Sequence, residues 1–335
     1  MDVTSVHGLV RIAVMGSGSI GTRHLSVLGQ IAGVHPIAVP RRRERIGDLK
    51  KEGYTVVNCL EEAVELGAKL CVVATDTGRH VEDGLAAIRS GLDVLVEKPL
   101  AATTLEARRL WRAAQEADRK VFVGCALRFS ESLNTFKTLL GRIGRLHAVR
   151  IECQSYLPDW RPARPFQDSY SARADEGGVL RDLIHEIDYA GWLFGWPVSV
   201  QARVRNLGRL GIAADETADL TWECPEGCVV SVRLDYLTRP PRRRMIAAGE
   251  WGTLEWDGMG RTVALDLVGE PTTIKRSTQT VDEMLLAEDR AFINASCGYP
   301  DPHLAAGEDG VRALAVCDAA RHSARTGHEE KVEYL

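Results

Sequence analysis

The chain has 335 residues, of which 45% are hydrophobic and 26% charged, and its formal net charge is −4. This length predicts two domains, the ordinary composition predicts a globular protein, and the slightly acidic balance argues against a nucleic-acid partner. No apolar run approaches the ~20 residues of a membrane span, and no signal pattern precedes the first predicted strand, so we expect a cytoplasmic protein.

The first predicted element is a short apolar strand, residues 9–15, that leads into a glycine-rich turn and a helix. The turn reads Gly16-Ser17-Gly18-Ser19-Ile20-Gly21. In such a turn the first glycine permits the bend, the second lets a pyrophosphate approach the backbone, and the third lets helix and strand pack closely. Because a helix N-terminus also offers free N–H groups, we predict that Gly16, Gly18, Ser19, Ile20 and Gly21 bind dinucleotide phosphates. The alternative is a purely structural glycine turn.

The second predicted strand, residues 35–39, is followed by Pro40 and then by Arg41, Arg42 and Arg43. About 20 residues after the glycines, an NAD-binding domain places an acidic residue on the ribose 2′-hydroxyl. Guanidinium groups at this point suit a 2′-phosphate instead, by charge and by geometry. We therefore predict a preference for NADP(H) through Arg41 and Arg42, with NAD(H) as the alternative cofactor. The other interpretation is a solvated run of arginines.

Strands and helices alternate through the rest of the first 125 residues. Predicted strands at 70–74, 94–96 and 121–124 are separated by predicted helices at 79–88 and 105–117. This alternation predicts an α/β, doubly wound parallel sheet of the Rossmann type, with ligands beyond the carboxyl ends of the strands. Thr75, Glu97 and Lys98 follow or close two of those strands, so we expect them in the cofactor site, together with His80.

The remaining residues, 126–335, are predicted to form a second, substrate-binding domain. Residues 179–194 can be written as one helix after Gly177-Gly178, with Asp182, His185 and Tyr189 on one edge at three- and four-residue spacing. Oxidising a carbinol requires a base near neutral pKa and a cation that steadies the oxyanion, which His185 and Lys98 can supply. Asp182 would fix the imidazole or bind a second hydroxyl. The alternative is a solvated helix face with a structural His.

Aromatic and basic residues concentrate in a proline-rich loop, residues 156–165, and near it. A ring beside guanidinium groups suits a sugar with an acidic substituent, so we predict a substrate pocket lined by Arg128, Trp160, Arg161, Tyr170 and Tyr189. The alternative is a surface loop whose Trp packs on a sheet. Short alternating strands follow between residues 198 and 266, with a hairpin turn between Cys224 and Cys228. That cysteine pair lacks a second pair of ligands, so we predict no metal site.

Several of these motifs together resemble the glucose–fructose oxidoreductase/inositol dehydrogenase/MocA family. The resemblance spans about residues 9 to 200 and rests on the glycine run with His24, Thr75 with His80, Glu97-Lys98-Pro99, and Gly177-Gly178 with Asp182 and His185. It implies a Rossmann domain, residues 1–125, and an α/β domain, residues 126–335, with a large open, mostly antiparallel sheet. It also implies homodimers or homotetramers joined through that sheet, substrate and nicotinamide contacts for Lys98, and proton exchange with the reacting hydroxyl for Asp182 and His185.

The leading hypothesis is an NADP(H)-dependent oxidoreductase that moves a hydride to or from a secondary hydroxyl of a sugar, sugar acid or activated sugar. The arginines favour an anionic substrate, such as a nucleotide-sugar, a uronate or a nonulosonic acid. One alternative is a cyclitol or aldose dehydrogenase that uses NAD, and another is cleavage or epimerisation through transient oxidation. A non-catalytic dinucleotide or sugar sensor is the third, and the presence of Lys98, Asp182 and His185 argues against it.

Overall fold

A computed structural model describes residues 9–162 and 165–334. These residues form two compact units. The first contains the chain up to Ala101 together with Leu105–Phe129 and Thr280–Val311. The second contains Ala102–Thr104, Ser130–Gln279 and the chain from Arg312 onward.

The first unit contains a seven-stranded sheet whose six N-terminal strands are all parallel. The strand order is β15-β6-β5-β4-β1-β2-β3, and only the short β15 runs antiparallel, against β6. The strands are β1 (Val10–Met15), β2 (Val34–Val39), β3 (Thr55–Val56), β4 (Leu70–Val73), β5 (Asp93–Glu97), β6 (Val121–Gly124) and β15 (Ala305–Ala306). The chain winds outward from β1 in one direction and from β4 in the other, which confirms the doubly wound fold. The order therefore reverses between β1 and β4, where such sheets bind ligands.

Ten α-helices occur in the described part of the chain. They are α1 (Ser19–Leu28), α2 (Arg45–Lys51), α3 (Leu60–Glu65), α4 (His80–Arg89), α5 (Thr104–Glu116), α6 (Glu131–Leu139), α7 (Val179–Asp182), α8 (His185–Phe194), α9 (Val281–Ser296) and α10 (Gly307–Thr326). None of the helices among these residues is both long and apolar enough to cross a membrane.

Helix α9 belongs to the first unit, although the sequence-based division placed residues 280–311 in the second domain. Its buried residues Phe292 and Ile293 share one apolar cluster with Ile12 of β1 and Leu25 of α1. Phe292 also meets Phe122 of β6 edge-on, with ring centroids 5.9 Å apart. The division was wrong for this segment because burial of an apolar helix face is decided by the partner surface and not by position along the chain.

The second unit contains a nine-stranded, mostly antiparallel sheet, as the family resemblance implied. Its order is β14-β13-β12-β11-β7-β10-β9-β8-β16, and β7 and β10 form its parallel pair. The strands are β7 (Leu146–Gln154), β8 (Ser199–Arg205), β9 (Thr217–Glu223), β10 (Val229–Asp235), β11 (Arg242–Gly249), β12 (Gly252–Asp257), β13 (Thr262–Leu267), β14 (Thr273–Arg276) and β16 (Glu330–Lys331).

Alternating burial along these strands shows that the sheet has one covered face. In β9, Leu220 and Trp222 are buried while Thr221 and Glu223 are exposed. The central strand β7 alternates in the same way, with Val149 and Ile151 buried and Arg150 exposed between them. The hairpin between β9 and β10 is closed by a disulfide between Cys224 and Cys228.

Candidate active site

The turn between β1 and α1 has the geometry of an anion site. Gly16 has φ +98°, and a Cβ there would lie 2.4 Å from the Ala74 carbonyl oxygen, so only glycine fits. A Cβ on Gly18, in contrast, would meet no protein atom within 4 Å. Helix α1 then begins at Ser19 with no acidic residue in its first turn and no side-chain cap. Its first N–H groups and the space beside Gly18 are therefore suited to a phosphate, and the binding of dinucleotide phosphates here stays a prediction.

The end of β2 is tied to the end of β4 through a buried carboxylate on α4. Asp83 is 2% exposed and accepts hydrogen bonds from Thr75 Oγ1 at 2.9 Å and from Arg79 at 3.2 Å. It also pairs with the Arg41 guanidinium. Arg42 is exposed. Thr75 and Arg41 thus share one buried acid, and the cofactor contacts of Thr75, Arg41 and Arg42 stay predictions.

His80 and Glu97 brace the segment that carries Lys98. The buried His80 ring has Nδ1 2.7 Å from the Pro99 carbonyl oxygen and Nε2 3.0 Å from that of Thr75. Glu97, the last residue of β5, has Oε2 3.2 Å from the Lys98 amide nitrogen. These described contacts give both residues a role in shaping the turn around Lys98, in addition to the cofactor contact that the sequence predicts for them.

His24 contacts Glu97, and Asp289 contacts His24. Neither was predicted as a site residue, although His24 belongs to the family motif. The buried His24 ring on α1 has Nε2 3.1 Å from Glu97 Oε1 and Nδ1 2.9 Å from Asp289 Oδ1 on α9. Sequence reasoning noted His24 only as part of the family motif and missed Asp289. The separation of 265 residues between these two side chains leaves no local signal that could have paired them.

In the second unit, two glycines set the start of the segment that carries Asp182 and His185. A Cβ on Gly177 would lie 2.2 Å from the Tyr170 carbonyl oxygen, and one on Gly178, which has φ +94°, would lie 2.5 Å from Asp215 Oδ1. Asp215 then accepts the Leu180 amide through its carboxylate at 3.2 Å and the Val179 amide through its carbonyl at 3.1 Å. These contacts anchor α7 at its first residues.

The predicted single helix over residues 179–194 is two helices in the structure. Helix α7 ends at Asp182, Leu183 has the non-helical angles φ −99° and ψ 31°, and α8 begins at His185. Two of the three residues on the predicted edge are buried, because Asp182 is 3% and Tyr189 0% exposed. From Glu176 to Gly191, His185 is the one residue that keeps partial exposure. This part of the chain therefore buries Asp182 and Tyr189 and leaves the His185 side chain partly accessible.

A tyrosine that sequence reasoning missed holds the Asp182 carboxylate. The hydroxyl of the fully buried Tyr236, just after β10, donates to Asp182 Oδ2 at 2.6 Å. Burial, followed by the negative charge of Asp182, raises the pKa of Tyr236 well above its ordinary value, so the phenol remains a donor. The Trp160 ring meets Tyr236 edge-on at 5.4 Å, and its Nε1 donates to Ser155 Oγ at 2.9 Å. Trp160 therefore packs beside Asp182 through Tyr236.

Of the other predicted substrate residues, two are partly exposed and two are buried. Arg161 and Tyr170 are partly exposed, with the guanidinium carbon 5.8 Å from the ring centroid. Tyr189 packs edge-on against Trp256 at 5.6 Å in the core. In the first unit, Arg128 is 2% exposed and donates to Asp309 at 3.1 Å. Ala163 and Arg164 of the predicted loop lie outside the described residues.

Below Tyr189, a buried ion pair links α8 to the sheet. The fully buried Glu186 accepts from Arg243 Nε of β11 at 2.8 Å. Burial opposes the charged form of Arg243, but the carboxylate of Glu186 more than offsets this and raises the pKa of the guanidinium. No group of three or more His, Cys, Asp or Glu side chains in the described residues is arranged to hold a metal ion.

Comparison with known proteins agrees with the two halves of this architecture. A model of an oxidoreductase family with an NAD-binding Rossmann fold matches residues 10–125, and a GFO/IDH/MocA C-terminal domain model matches residues 139–255. The chain belongs to the GFO/IDH/MocA oxidoreductase family. The members of this family to which it is similar are named sugar and inositol dehydrogenases, and the chain is accordingly an enzyme that acts on CH–OH groups with NAD(P).

Three relatives illustrate the range of similarity. Inositol 2-dehydrogenase 2 of Saccharopolyspora erythraea is 27% identical over an alignment of 353 positions, gaps included, that covers 97% of this chain and 96% of the relative. The scyllo-inositol 2-dehydrogenase (NADP(+)) IolW of Bacillus subtilis is 28% identical over 205 residues, 58% of this chain and 54% of that protein. The structure of the WlbA dehydrogenase from Bordetella pertussis in complex with NADH and UDP-GlcNAcA superposes with a TM-score of 0.83 at 22% identity, covering 97% and 98% of the two chains. This last similarity shows the fold.

Proposed function

We propose that the protein is an NADP(H)-dependent dehydrogenase that moves a hydride between the cofactor and a secondary hydroxyl of an anionic sugar. The observation that carries the proton-transfer part is the partly exposed imidazole of His185, the one residue from Glu176 to Gly191 that is not buried, three residues after a carboxylate held by Tyr236. A buried segment that leaves one titratable ring accessible is suited to exchange protons with a bound molecule.

Each of the three polar residues has a distinct task in this reaction. A dinucleotide held at Gly16, Gly18 and the first turn of α1 would supply the hydride acceptor for the carbinol carbon. His185 takes the hydroxyl proton as general base, and returns it in the reverse direction. The Lys98 ammonium stabilises the negative charge that develops on the substrate oxygen. Asp182, fixed by Tyr236, orients a substrate hydroxyl or the imidazole.

The cofactor preference rests on Arg41 and Arg42. No acidic residue follows β2 at the position that would bind a 2′-hydroxyl, and two guanidinium groups stand there instead. The name of the relative IolW includes NADP(+), whereas the WlbA complex contains NADH. Titrating the protein with NADPH and NADH, with fluorescence as the readout, tests the preference. Equal dissociation constants for the two would refute it, and Arg42→Ala should then change neither.

The substrate class rests on Arg161, which lies beside Tyr170, and on Trp160 next to the Tyr236–Asp182 pair. A guanidinium and an aromatic ring suit the carboxylate and the apolar face of a sugar acid. The UDP-GlcNAcA in the WlbA complex is a nucleotide-linked sugar acid of this kind. Uronates, nucleotide-sugars and nonulosonates are therefore the substrates to test first. The cyclitol relatives favour the second candidate, an inositol-type substrate.

The deciding experiment follows the absorbance of reduced nicotinamide with a panel of cyclitols, aldoses, uronates, nucleotide-sugars and nonulosonates. The panel is run on the wild type, on Lys98→Met and on His185→Asn. We expect turnover with an anionic class and loss of turnover in both variants. Turnover of neutral cyclitols alone would overturn the substrate proposal. Tight NADPH binding with no net reduction of any compound would favour transient oxidation with a recycled cofactor, or a sensor.

We further propose a homodimer or homotetramer joined through the nine-stranded sheet. Its less covered face carries basic and acidic side chains on neighbouring strands, with Arg244 of β11 paired to Glu255 of β12 and Arg233 of β10 to Asp219 of β9. Such a mixed face can meet a second copy of itself with opposite charges opposed. Light scattering coupled to size exclusion measures the mass, and a monomer at micromolar concentration would refute the proposal.

A further inference from the structure

Three ionisable side chains from three different elements form a buried line inside the first unit. His24 comes from α1, Glu97 from the end of β5, and Asp289 from α9. His24 and Asp289 are fully buried and Glu97 is 8% exposed. The His24 ring stands between the two carboxylates, with Nδ1 2.9 Å from Asp289 Oδ1 and Nε2 3.1 Å from Glu97 Oε1. Helices α1 and α9 and strand β5 are therefore joined by side-chain hydrogen bonds as well as by apolar packing.

With Asp289 and Glu97 both ionised, the geometry requires a proton on both nitrogens of His24. Carboxylate oxygens accept hydrogen bonds and do not donate them, and a neutral imidazole has only one N–H. An imidazolium satisfies both acceptors at once. The electrostatics agree: burial by itself lowers the pKa of His24, but Asp289 and then Glu97 raise it well above the ordinary value. Burial by itself raises the pKa of Glu97, because it disfavours the charged carboxylate. His24, Lys98 and His80 more than offset this effect, so the pKa of Glu97 is lowered.

The two oxygens of Glu97 have different partners. Oε1 accepts from His24, and Oε2 lies 3.2 Å from the backbone nitrogen of Lys98. On the other side of the carboxylate is Gly124 of β6, where a Cβ would lie 3.0 Å from Oε1 and 3.2 Å from the Cα of Glu97. The Glu97 side chain is thus confined by His24, by the neighbouring strand and by the amide that it accepts.

We propose that His24, held by Asp289, is the positioning residue for the turn that carries Lys98: it fixes the Glu97 carboxylate, which in turn holds the Lys98 backbone amide. The inference rests on the proposed function in one respect: the catalytic role proposed for Lys98 explains why the turn that carries it needs a fixed position. Lys98 is the residue that we expect to contact the reacting oxygen, and its reach is set by where its backbone begins. Small displacements of such a group lower the rate of a hydride transfer strongly.

A matched pair of substitutions separates positioning from general stabilisation. Asparagine at position 24 reaches about as far as Nδ1 and glutamine about as far as Nε2. His24→Asn therefore keeps a donor for Asp289 and loses the one for Glu97, whereas His24→Gln keeps the donor for Glu97 and loses the one for Asp289. Both variants remove the same charge from the same cavity. A role in folding alone would make the two variants equivalent.

The readout is amide hydrogen exchange at Lys98, which needs no substrate. We expect exchange at this amide to be at least about tenfold faster in His24→Asn than in His24→Gln, because a hydrogen bond to a charged acceptor has about that effect. Turnover, once a substrate is known, should fall further in His24→Asn than in His24→Gln, in kcat more than in KM. Equal exchange rates at Lys98 in the two variants would overturn the proposal.

Gly124→Ala tests the same contact without altering His24. The new methyl group would press on Glu97, so exchange at Lys98 should again be faster than in the wild type. Gly47→Ala is the control, because a Cβ there would meet nothing within 4 Å. If the exchange rate at Lys98 is the same in Gly124→Ala, Gly47→Ala and the wild type, the proposal is wrong, even if both His24 variants fail to fold.

The failure of this inference can be told apart from failure of the proposed function. Loss of turnover in Lys98→Met, with equal Lys98 exchange in the two His24 variants, would retain the enzyme mechanism and remove the positioning role. Full turnover in Lys98→Met would remove the role proposed for Lys98. The exchange rates would still decide, in that case, whether His24 holds the turn.

Discussion

Replacing Tyr236 with Phe removes one oxygen atom from a buried hydrogen bond and leaves the ring in place. Tyr236 is fully buried, and its hydroxyl donates to Asp182 Oδ2 at 2.6 Å. The ring itself packs edge-on against Trp160, a contact that Phe retains. Any effect of the substitution therefore reports on the hydrogen bond to the carboxylate.

The size of the effect follows from the charge of the acceptor. A hydrogen bond to a charged group contributes about 1.5–3 kcal/mol, and its loss leaves a buried carboxylate oxygen without that donor. We expect Tyr236→Phe to lower the free energy of unfolding by about this amount. If Asp182 must be held for the reaction, the same energy corresponds to a loss of about 10- to 150-fold in kcat/KM.

Tyr189 provides a matched control in the same unit. It too is fully buried, but its hydroxyl makes no hydrogen bond to any residue in the described ranges. Removing a buried hydroxyl that lacks a partner is neutral or stabilising, so Tyr189→Phe should leave stability unchanged or raise it by about 1 kcal/mol.

Urea unfolding of the wild type and the two variants measures the difference as a shift of midpoint at constant slope. Steady-state rates with the best substrate of the panel measure the effect on activity. Equal unfolding midpoints for Tyr236→Phe and Tyr189→Phe would refute the assignment of the Asp182 hydrogen bond. A stability loss in Tyr236→Phe with unchanged kcat/KM would retain the hydrogen bond but remove its catalytic significance.

Three further predictions follow from single side chains. Gly18→Ala should fold with an unchanged melting temperature, because its Cβ meets no protein atom, but should raise the dinucleotide dissociation constant at least ~10-fold by calorimetry, because the methyl group occupies the phosphate position. Because the pKa of His24 is raised, its stabilising contribution is complete below the unfolded-state pKa of about 6.5 and is lost as pH rises through the folded-state pKa. The difference in free energy of unfolding between wild type and His24→Gln should therefore decrease with rising pH. A difference that increases with pH would contradict the charged assignment of His24. Glu186→Gln should destabilise by about 3 kcal/mol in urea unfolding, because it leaves the Arg243 guanidinium without its buried counter-ion, and a loss below about 1 kcal/mol would show that the pair is not needed.

The elements that local pattern determines were predicted closely. The short strands predicted between residues 198 and 266 are present, among them Thr217–Glu223 and Gly252–Asp257. The glycine turn after β1 was predicted together with its physical reason, since positive φ and close backbone approach both require glycine. In these segments the local sequence and the final packing favour the same structure.

The sequence-based predictions were wrong where a side chain contacts a residue far away in sequence. Residues 179–194 carry one continuous helical pattern, yet the chain breaks at Leu183, where Asp182 bonds to Tyr236, 54 residues later. Tyr189 has the spacing of the edge that carries Asp182 and His185, but it packs on Trp256 of β12. Periodicity identifies which residues share a helix face, but not whether that face meets solvent or another element.

The sequence by itself determined the class of protein: a dinucleotide-binding sheet and a second domain with an antiparallel sheet. It also predicts Lys98, Asp182 and His185 as the residues of the reaction. Those features depend on short-range pattern, which survives in one dimension. Only the tertiary structure decided that Asp289 faces His24 and that Arg41 is engaged by Asp83, because these contacts join elements 265 and 42 residues apart. Burial makes such pairs important for stability, because a charge that is removed from water is costly without a counter-charge. The fold decides which residue supplies that counter-charge.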